Sequence, residues 1–256
     1  MTPVLAFGDD GSIGASTCWE WIVAQRWDGW RLEVVTARPP ADFHPVPPEE
    51  AELHPWKPDD PRPAHDGGFT EVEYLRAEVD PRIALIARNW DLVAVGPRGE
   101  DWLETARLGS TADWLLRQPT SPLVIARKSA PVRRVVLAAD GSAHAKRSVE
   151  SLSQLPWIEG VVVRVVVVDD GRVEPEKALD QATETLSASG AQLETATRSG
   201  KPTDVLVEEI EATEADLVVM GARGHGRVKR LVLGSTTLAI AGSTECSLLV
   251  AHAEDH

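Results

Sequence analysis

Several things are scarce in this sequence, and each scarcity excludes something. Only two cysteines, Cys18 and Cys246, stand among 256 residues. They are too few for a disulfide framework and too isolated for a thiolate metal site, which points to a reducing, cytoplasmic compartment. Positive charge is also short, with 26 Lys and Arg against 40 Asp and Glu and a formal net charge of −14. A phosphate backbone repels so acidic a chain unless a local basic patch overrides the far field, so nucleic acid is not an expected partner. Long apolar runs are missing: VVVRVVVV at 161–168 is short and carries Arg164, and the opening MTPVLAFGDDGS has no basic flank before an apolar segment. Neither a membrane span nor a secretion signal is expected. There is no G-x-x-x-x-G-K-[S/T] P-loop and no G-x-S-x-G elbow, and GHGRVK at 224–229 does not satisfy the dinucleotide fingerprint.

What is present is globular in composition, 43% apolar and 26% charged, and long enough for one large domain or two of about 130 residues. A repeat decides between them. VLAFGDDGS at 4–12 reads like VVLAADGS at 135–142, and DLVAVGPRG at 91–99 reads like DLVVMGARG at 216–224. In both copies the last glycine is followed by nine residues and then Gly-Ser, at Gly109-Ser110 and at Gly234-Ser235. We therefore expect two tandem domains, 1–128 and 132–256, with the boundary in KSAPVR.

Within each unit short apolar runs alternate with amphipathic segments, the pattern of a parallel sheet covered by helices. The second unit predicts strands near 133–138, 161–168, 191–197, 216–220 and 247–251, and helices over 143–154, 174–188, 202–213 and 235–243. The first predicts strands near 3–7, 31–37, 70–75, 91–95 and 122–126. A proline-rich insertion at 39–68 separates its second and third strands and predicts an irregular lid or loop, because no regular helix tolerates that proline density.

In such a sheet, ligands sit beyond the carboxyl ends of the strands, where both glycine clusters fall. Gly221 and Gly224 permit close backbone approach to an anion. Gly234-Ser235 opens a helix whose free N–H groups and positive dipole end aim at the same place, with the Ser235 or Thr236 hydroxyl as a further donor. Asp140, at the end of the first strand, can accept from ribose hydroxyls or an adenine amine. The plainer alternatives stay open: glycines that only make tight turns, a Ser235 that only caps a helix, and an Asp that serves as an N-cap.

The pattern Gly-x2-Gly-x9-Gly-[Ser/Thr] after a fourth strand, with a first strand ending in Asp-Gly-Ser, resembles the universal stress protein family, in particular its tandem two-domain members. The resemblance spans nearly the whole chain apart from the insertion. It implies two Rossmann-like domains of the adenine nucleotide alpha hydrolase type, each a five-stranded parallel sheet with helices on both faces. It further implies binding of ATP, with or without Mg2+, and a role as a stress regulator or sensor. Carried over, the nucleotide-binding residues are Asp140, Val167, Gly221, Gly224, Gly234, Ser235 and Thr236. The first unit's set is Asp10, Gly96, Gly99, Gly109, Ser110 and Ala37. In the family, domains pair through their last strands, here PLVIAR at 122–127 and SLLVAH at 247–252, so the two units are expected to form an internal pseudo-dimer, as exposed sheet edges seek partners. Association of two chains is left open, as is a protein partner.

Charge separates the two sites. Residues 100–108 hold Glu100, Asp101 and Glu104 against Arg107, whereas 225–233 hold Arg227, Lys229 and Arg230 with no acid, plus His225. A triphosphate would prefer the second unit, unless these charges only decorate a solvated loop. No placed base accompanies the glycine loops apart from His225, so the nucleotide is expected to be held rather than turned over. A slow ATPase and a pure interaction module are the competing readings. His44, His54 and His65 fit no compact ligand spacing, and no metal is expected. Asp9-Asp10 is not completed into an acid/base pair. Eight of nine tryptophans fall in the first unit. They are expected to fill core or pack under the insertion, with Trp56 and Trp102 alternatively forming a contact surface. Cys246 is expected as a small buried apolar residue.

Overall fold

The computed structural model describes residues 1–42, 46–62, 67–98, 108–118, 121–224 and 233–253. In the first half, β1 (Val4–Gly8), α1 (Ile13–Ala24), β2 (Arg31–Ala37), β3 (His54–Pro55), β4 (Glu71–Ala77) and α2 (Pro81–Ala84) lead to β5 (Leu92–Val95), α3 (Ser110–Leu116) and β6 (Leu123–Ile125). The second half runs β7 (Arg134–Ala138), α4 (Ala143–Ser153), β8 (Val162–Asp169), α5 (Pro175–Leu186), β9 (Gln192–Ser199), α6 (Pro202–Ala212), β10 (Leu217–Gly221), α7 (Ser235–Ser243) and β11 (Ser247–Ala251). The five strands predicted in each half and the four helices predicted in the second lie within two residues of their expected ends; β3 falls inside the insertion expected to be irregular, and α1, α2 and α3 carry no predicted bounds.

The recurrent Asp-Gly-Ser turns a strand into a helix by the same means twice. Gly11 and Gly141 take φ of +80° and +76°, which only glycine adopts cheaply. Ser12 and Ser142 then cap α1 and α4, their Oγ atoms accepting from Ala15 N at 3.1 Å and Ala145 N at 3.2 Å. The Asp that opens each repeat's DLV segment is likewise structural. Val4 N donates to Asp91 at 2.8 Å, and Arg133 N and Arg134 N donate to Asp216 at 2.9 and 3.0 Å, tying the start of the central strand to its neighbour.

Among the described residues all strands lie in one eleven-stranded sheet of order β3-β4-β2-β1-β5-β6-β11-β10-β7-β8-β9. Each half supplies five parallel strands, and the halves meet where β6 and β11 pair antiparallel, Leu248 opposite Ile125 and Val250 opposite Leu123. The expected internal pairing of last strands is thus present. Residues just beyond these strands clasp the junction reciprocally. The Arg127 guanidinium donates to the Ala241 and Thr244 carbonyls at the end of α7, and His252 Nε2 meets the Leu116 carbonyl at the end of α3, at 3.0 Å. Both satisfy helix-terminal carbonyls that have no partner within their own helix.

Helices cover both faces. On one, α1, α4 and α5 bury the cluster that contains Phe7, Ile22, Leu137, Val163 and Leu152. On the other, α3, α6 and α7 bury Val95, Ile125, Leu206, Val218 and Ile240. Tryptophans knit the first of these layers. Trp27 stacks on Phe69 at 5.7 Å and meets Trp21, Trp30 and Trp157 edge-on at 5.5–6.2 Å, so a second-half ring packs among first-half rings. Trp19 and Trp90 are buried as well. Trp56 is half-buried, with the Arg76 guanidinium 5.8 Å over its ring; Trp102 lies outside the described residues.

The insertion occupies the place that α5 takes in the second half. Its described part holds a 3-10 turn at Pro48–Glu50 and the two-residue β3, antiparallel to β4. Arg62 anchors it by a bidentate pair to Asp9 at 2.8 and 2.6 Å and a bond to Ser16 Oγ at 3.0 Å, and the Tyr74 hydroxyl donates to the Arg62 carbonyl. It is a strap along the sheet edge and α1, and none of its described residues lines the cleft beside β1. His54 in it is exposed and 3.3 Å from Glu52; His44 and His65 lie outside the described residues.

Candidate functional site

Beyond the carboxyl ends of β7, β8 and β10 opens a cleft of about 470 Å³, the range of a small-molecule site. One wall is the β10 loop and the start of α7, where Gly221, Gly224, Gly234, Ser235 and Thr236 meet Asp140. The sequence-predicted second-unit set therefore converges, with one exception. Val167 is fully buried on the opposite face among the α4 and α5 contacts, and the apolar wall is made by Val166 and Val168. A strand alternates faces with period two, so a shift of one residue exchanges cleft for core. Register identifies the right positions. Ala138 pairs with Val166 as Gly8 pairs with Val35, so Ala37 corresponds to Val168.

The glycines divide by role. A Cβ on Gly221 would lie 2.6 Å from Ala145 N, and one on Gly96 would lie 2.2 Å from Gly14 O, so these two let the first-strand helix seat against the fourth strand. Gly224 instead faces Asp140, whose Oδ2 would be 2.5 Å from an added Cβ. Gly234 is the N-cap of α7, without a side-chain cap, and its own N–H donates to Ala222 O at 2.8 Å. Ser235 and Thr236, at the first turn of α7, line the cleft, and the N–H groups of a helix start are donors of the kind that suit an anion. Thr237 Oγ1 donates back to Gly221 O at 2.9 Å and pins the helix to the strand. Asp140 Oδ1 accepts from Ser142 N at 2.9 Å, and this bond orients its carboxylate; the cap itself is Ser142 rather than the aspartate.

Residues that the motif does not contain complete the cleft. Leu206 and Met220 join the valines over the apolar wall, and Arg172, Lys201 and Arg223 stand at its rim. Among the described residues these three cations outnumber the two carboxylates that line it, Asp140 and Asp170. Lys201 could have been found as the residue before the proline that opens α6; Arg172 carries no local signal.

The first half repeats this plan in miniature. Asp10, Gly96, Gly109 and Ser110 come together there with Ala37, around only about 100 Å³. Gly109 N donates to Pro97 O at 2.7 Å, the counterpart of the Gly234 bond. A local difference accompanies the smaller volume. Whereas α6 is an eleven-residue helix, α2 has four residues, and Leu85 directly after it presses so close that a Cβ on Gly8 would lie 2.9 Å from its Cδ1. Charge changes too. Among the described residues one cation, Arg98, lines this cleft against Asp9 and Asp10. Asp80 stands where the second half has Lys201; its hydrogen bond from Arg82 holds its carboxyl below the ordinary range. Gly99, Glu100, Asp101, Glu104 and Arg107, like His225, Arg227, Lys229 and Arg230, lie outside the described residues. Neither thiol belongs to a site: burial raises Cys18 well above its ordinary value and pushes Cys246 up to about 12.

Residues 131–252 match the model of the universal stress protein family. A universal stress protein of Thermus aquaticus is 30% identical over 133 residues, 46% of this chain and 97% of that one. Another, from Synechocystis, is 28% identical over 165 residues, 63% of this chain and 58% of the relative, so the match spans little more than half of that protein. Among solved structures, a universal stress protein from Archaeoglobus fulgidus superposes with a TM-score of 0.69 at 18% identity, covering 98% of this chain and 99% of that one. One from Pseudomonas aeruginosa gives 0.63 at 12% identity, over 99% and 94%. At these identities the superpositions show the fold.

Proposed function

The chain belongs to the universal stress protein family, and from that premise we propose that it binds ATP in the second-half cleft and acts as a nucleotide-responsive regulator or sensor. The observation that carries this reading is the cleft itself: one cavity of about 470 Å³ with an uncapped helix end at Gly234-Ser235, an oriented carboxylate at Asp140 and an apolar wall at Val166 and Val168. Phosphates fit the first, ribose hydroxyls the second and a purine the third. The rim cations Arg172, Lys201 and Arg223 favour a polyanion over a neutral nucleoside. Mg2+ could accompany the phosphates, where Asp140 and the Ser235 and Thr236 hydroxyls are oxygen donors of the kind it takes.

Without a placed base among the described cleft residues, this chain's part is to bind and orient rather than to cleave. Occupancy would then act on the start of α7 and the β8–α5 and β9–α6 turns, the segments that surround the ligand. Calorimetric titration of nucleotide-stripped protein with ATP and magnesium tests the reading. The expected result is one site per chain, lost in Gly224→Glu because the new side chain must enter the space held by Asp140. Titration without heat in the folded wild-type protein would overturn it and favour an interaction module.

A further inference from the structure

The two ends of the sheet are finished differently. At the first-half end, β3 lies antiparallel along β4 and Trp56 N donates to Tyr74 O at 3.0 Å, so the insertion covers that edge and Pro55 removes a donor from it. At the other end, β9 runs for eight residues paired to β8 without a bulge, from Gln192 opposite Val162 to Ser199 opposite Asp169. It contains no proline. Gln192 N donates inward to Val161 O at 2.8 Å, which by alternation turns the N–H and C=O groups of Leu193, Thr195, Thr197 and Ser199 outward. Among the described residues these outward N–H groups have no backbone partner. Among the described residues the one bond on the outward carbonyls is a long 3.4 Å contact from Arg198 to Thr197 O.

We infer that β9 pairs antiparallel with β9 of a second copy of this chain, about a two-fold axis at Ala196. The outward groups fix that register. With the axis at 196, Thr195 faces Thr197 of the other copy as a hydrogen-bonded pair, and Leu193 faces Ser199. Glu194 then faces Arg198 as a non-hydrogen-bonded pair, the arrangement in which side chains approach most closely. Each opposition occurs twice, so the strand is self-complementary in charge, as an isologous interface requires. Within one chain Glu194 already meets Arg164 at 3.1 Å, and Arg198 meets Glu209 at 2.7 Å. Pairing across the axis therefore extends an alternating row of acid and base and leaves no like charges opposed. A continuous sheet twice the width of the eleven strands results.

The test is sedimentation equilibrium of the full chain over a wide concentration range, with circular dichroism to confirm folding. Wild-type protein is expected to move from the mass of one chain toward two. Glu194→Arg and Arg198→Glu are each expected to weaken self-association at least about tenfold, since each opposes like charges twice. An equimolar mixture of the two variants restores pairing, because every facing pair is then opposite in sign. Thr195→Pro, which removes an outward donor while leaving the inward bonds to β8, is expected to be monomeric. A wild-type chain that stays monomeric, folded single variants that still dimerise, or a mixture that fails to associate would each overturn the assignment. None of these outcomes depends on nucleotide binding.

Discussion

The first and second halves share strand order, helix caps and glycine motif, yet one encloses about 470 Å³ and the other about 100 Å³. Motifs of equal spacing therefore accompany clefts of unequal volume. Gly96 and Gly221 do the same packing in both halves. Beside the clefts, one difference among the described residues is the element after the third parallel strand of each half, a full helix at α6 and a single turn at α2 with Leu85 close to Gly8. The motif lines one end of each cleft, while the neighbouring helix bears on how much room lies beside it.

Opening the closed half is the harshest way to press the comparison. Leu85 is 3% exposed, so Leu85→Ala is expected to cost about 2–5 kcal/mol in urea unfolding. In the surviving folded protein a second, weaker nucleotide-binding event should appear by calorimetry. If binding stays single, charge rather than volume silences the first half. Next in size, Glu209→Gln should destabilise the protein by about 1–3 kcal/mol at neutral pH, since it weakens bonds to two guanidinium groups on a side chain 7% exposed. Burial works to raise this carboxyl, and the bonds from Arg164 and then Arg198 outweigh it, so its folded pKa lies below the ordinary 4.5. Its contribution is therefore complete above pH 4.5 and disappears as pH falls through the lower folded value. Acid unfolding of the variant should lack that component. The smallest effect is electrostatic. Lys201→Asp gives the second half the first half's residue, and should weaken nucleotide binding about five- to tenfold at low salt and by much less at 1 M salt. An unchanged affinity would remove Lys201 from the binding rim.

Much of this was legible in the sequence because it is periodic or local. Runs such as RLEVVTA and LVVMG declare strands, and the equal spacing to Gly109-Ser110 and Gly234-Ser235 places both helix starts at their clefts. The errors occur where local signal ends. Val167 sits in an unbroken run of valines in which alternation cannot be seen, so only pairing with β7 shows that Val166 and Val168 face the cleft. Arg62 reaches Asp9 across 53 residues, and Leu85 closes on Gly8 from a different element. Such contacts depend on how layers stack, information that no window of sequence contains.

The junction between β6 and β11 has one more consequence. Arg127 and His252 occupy matching places on either side of it, each closing the opposite half's helix, yet they are different residues with different chemistry. In a pair of identical chains every substitution is made twice, so neither copy can lose its pocket while the other keeps one. Two halves on a single polypeptide escape that constraint: one can keep a roomy cleft while the other's contracts.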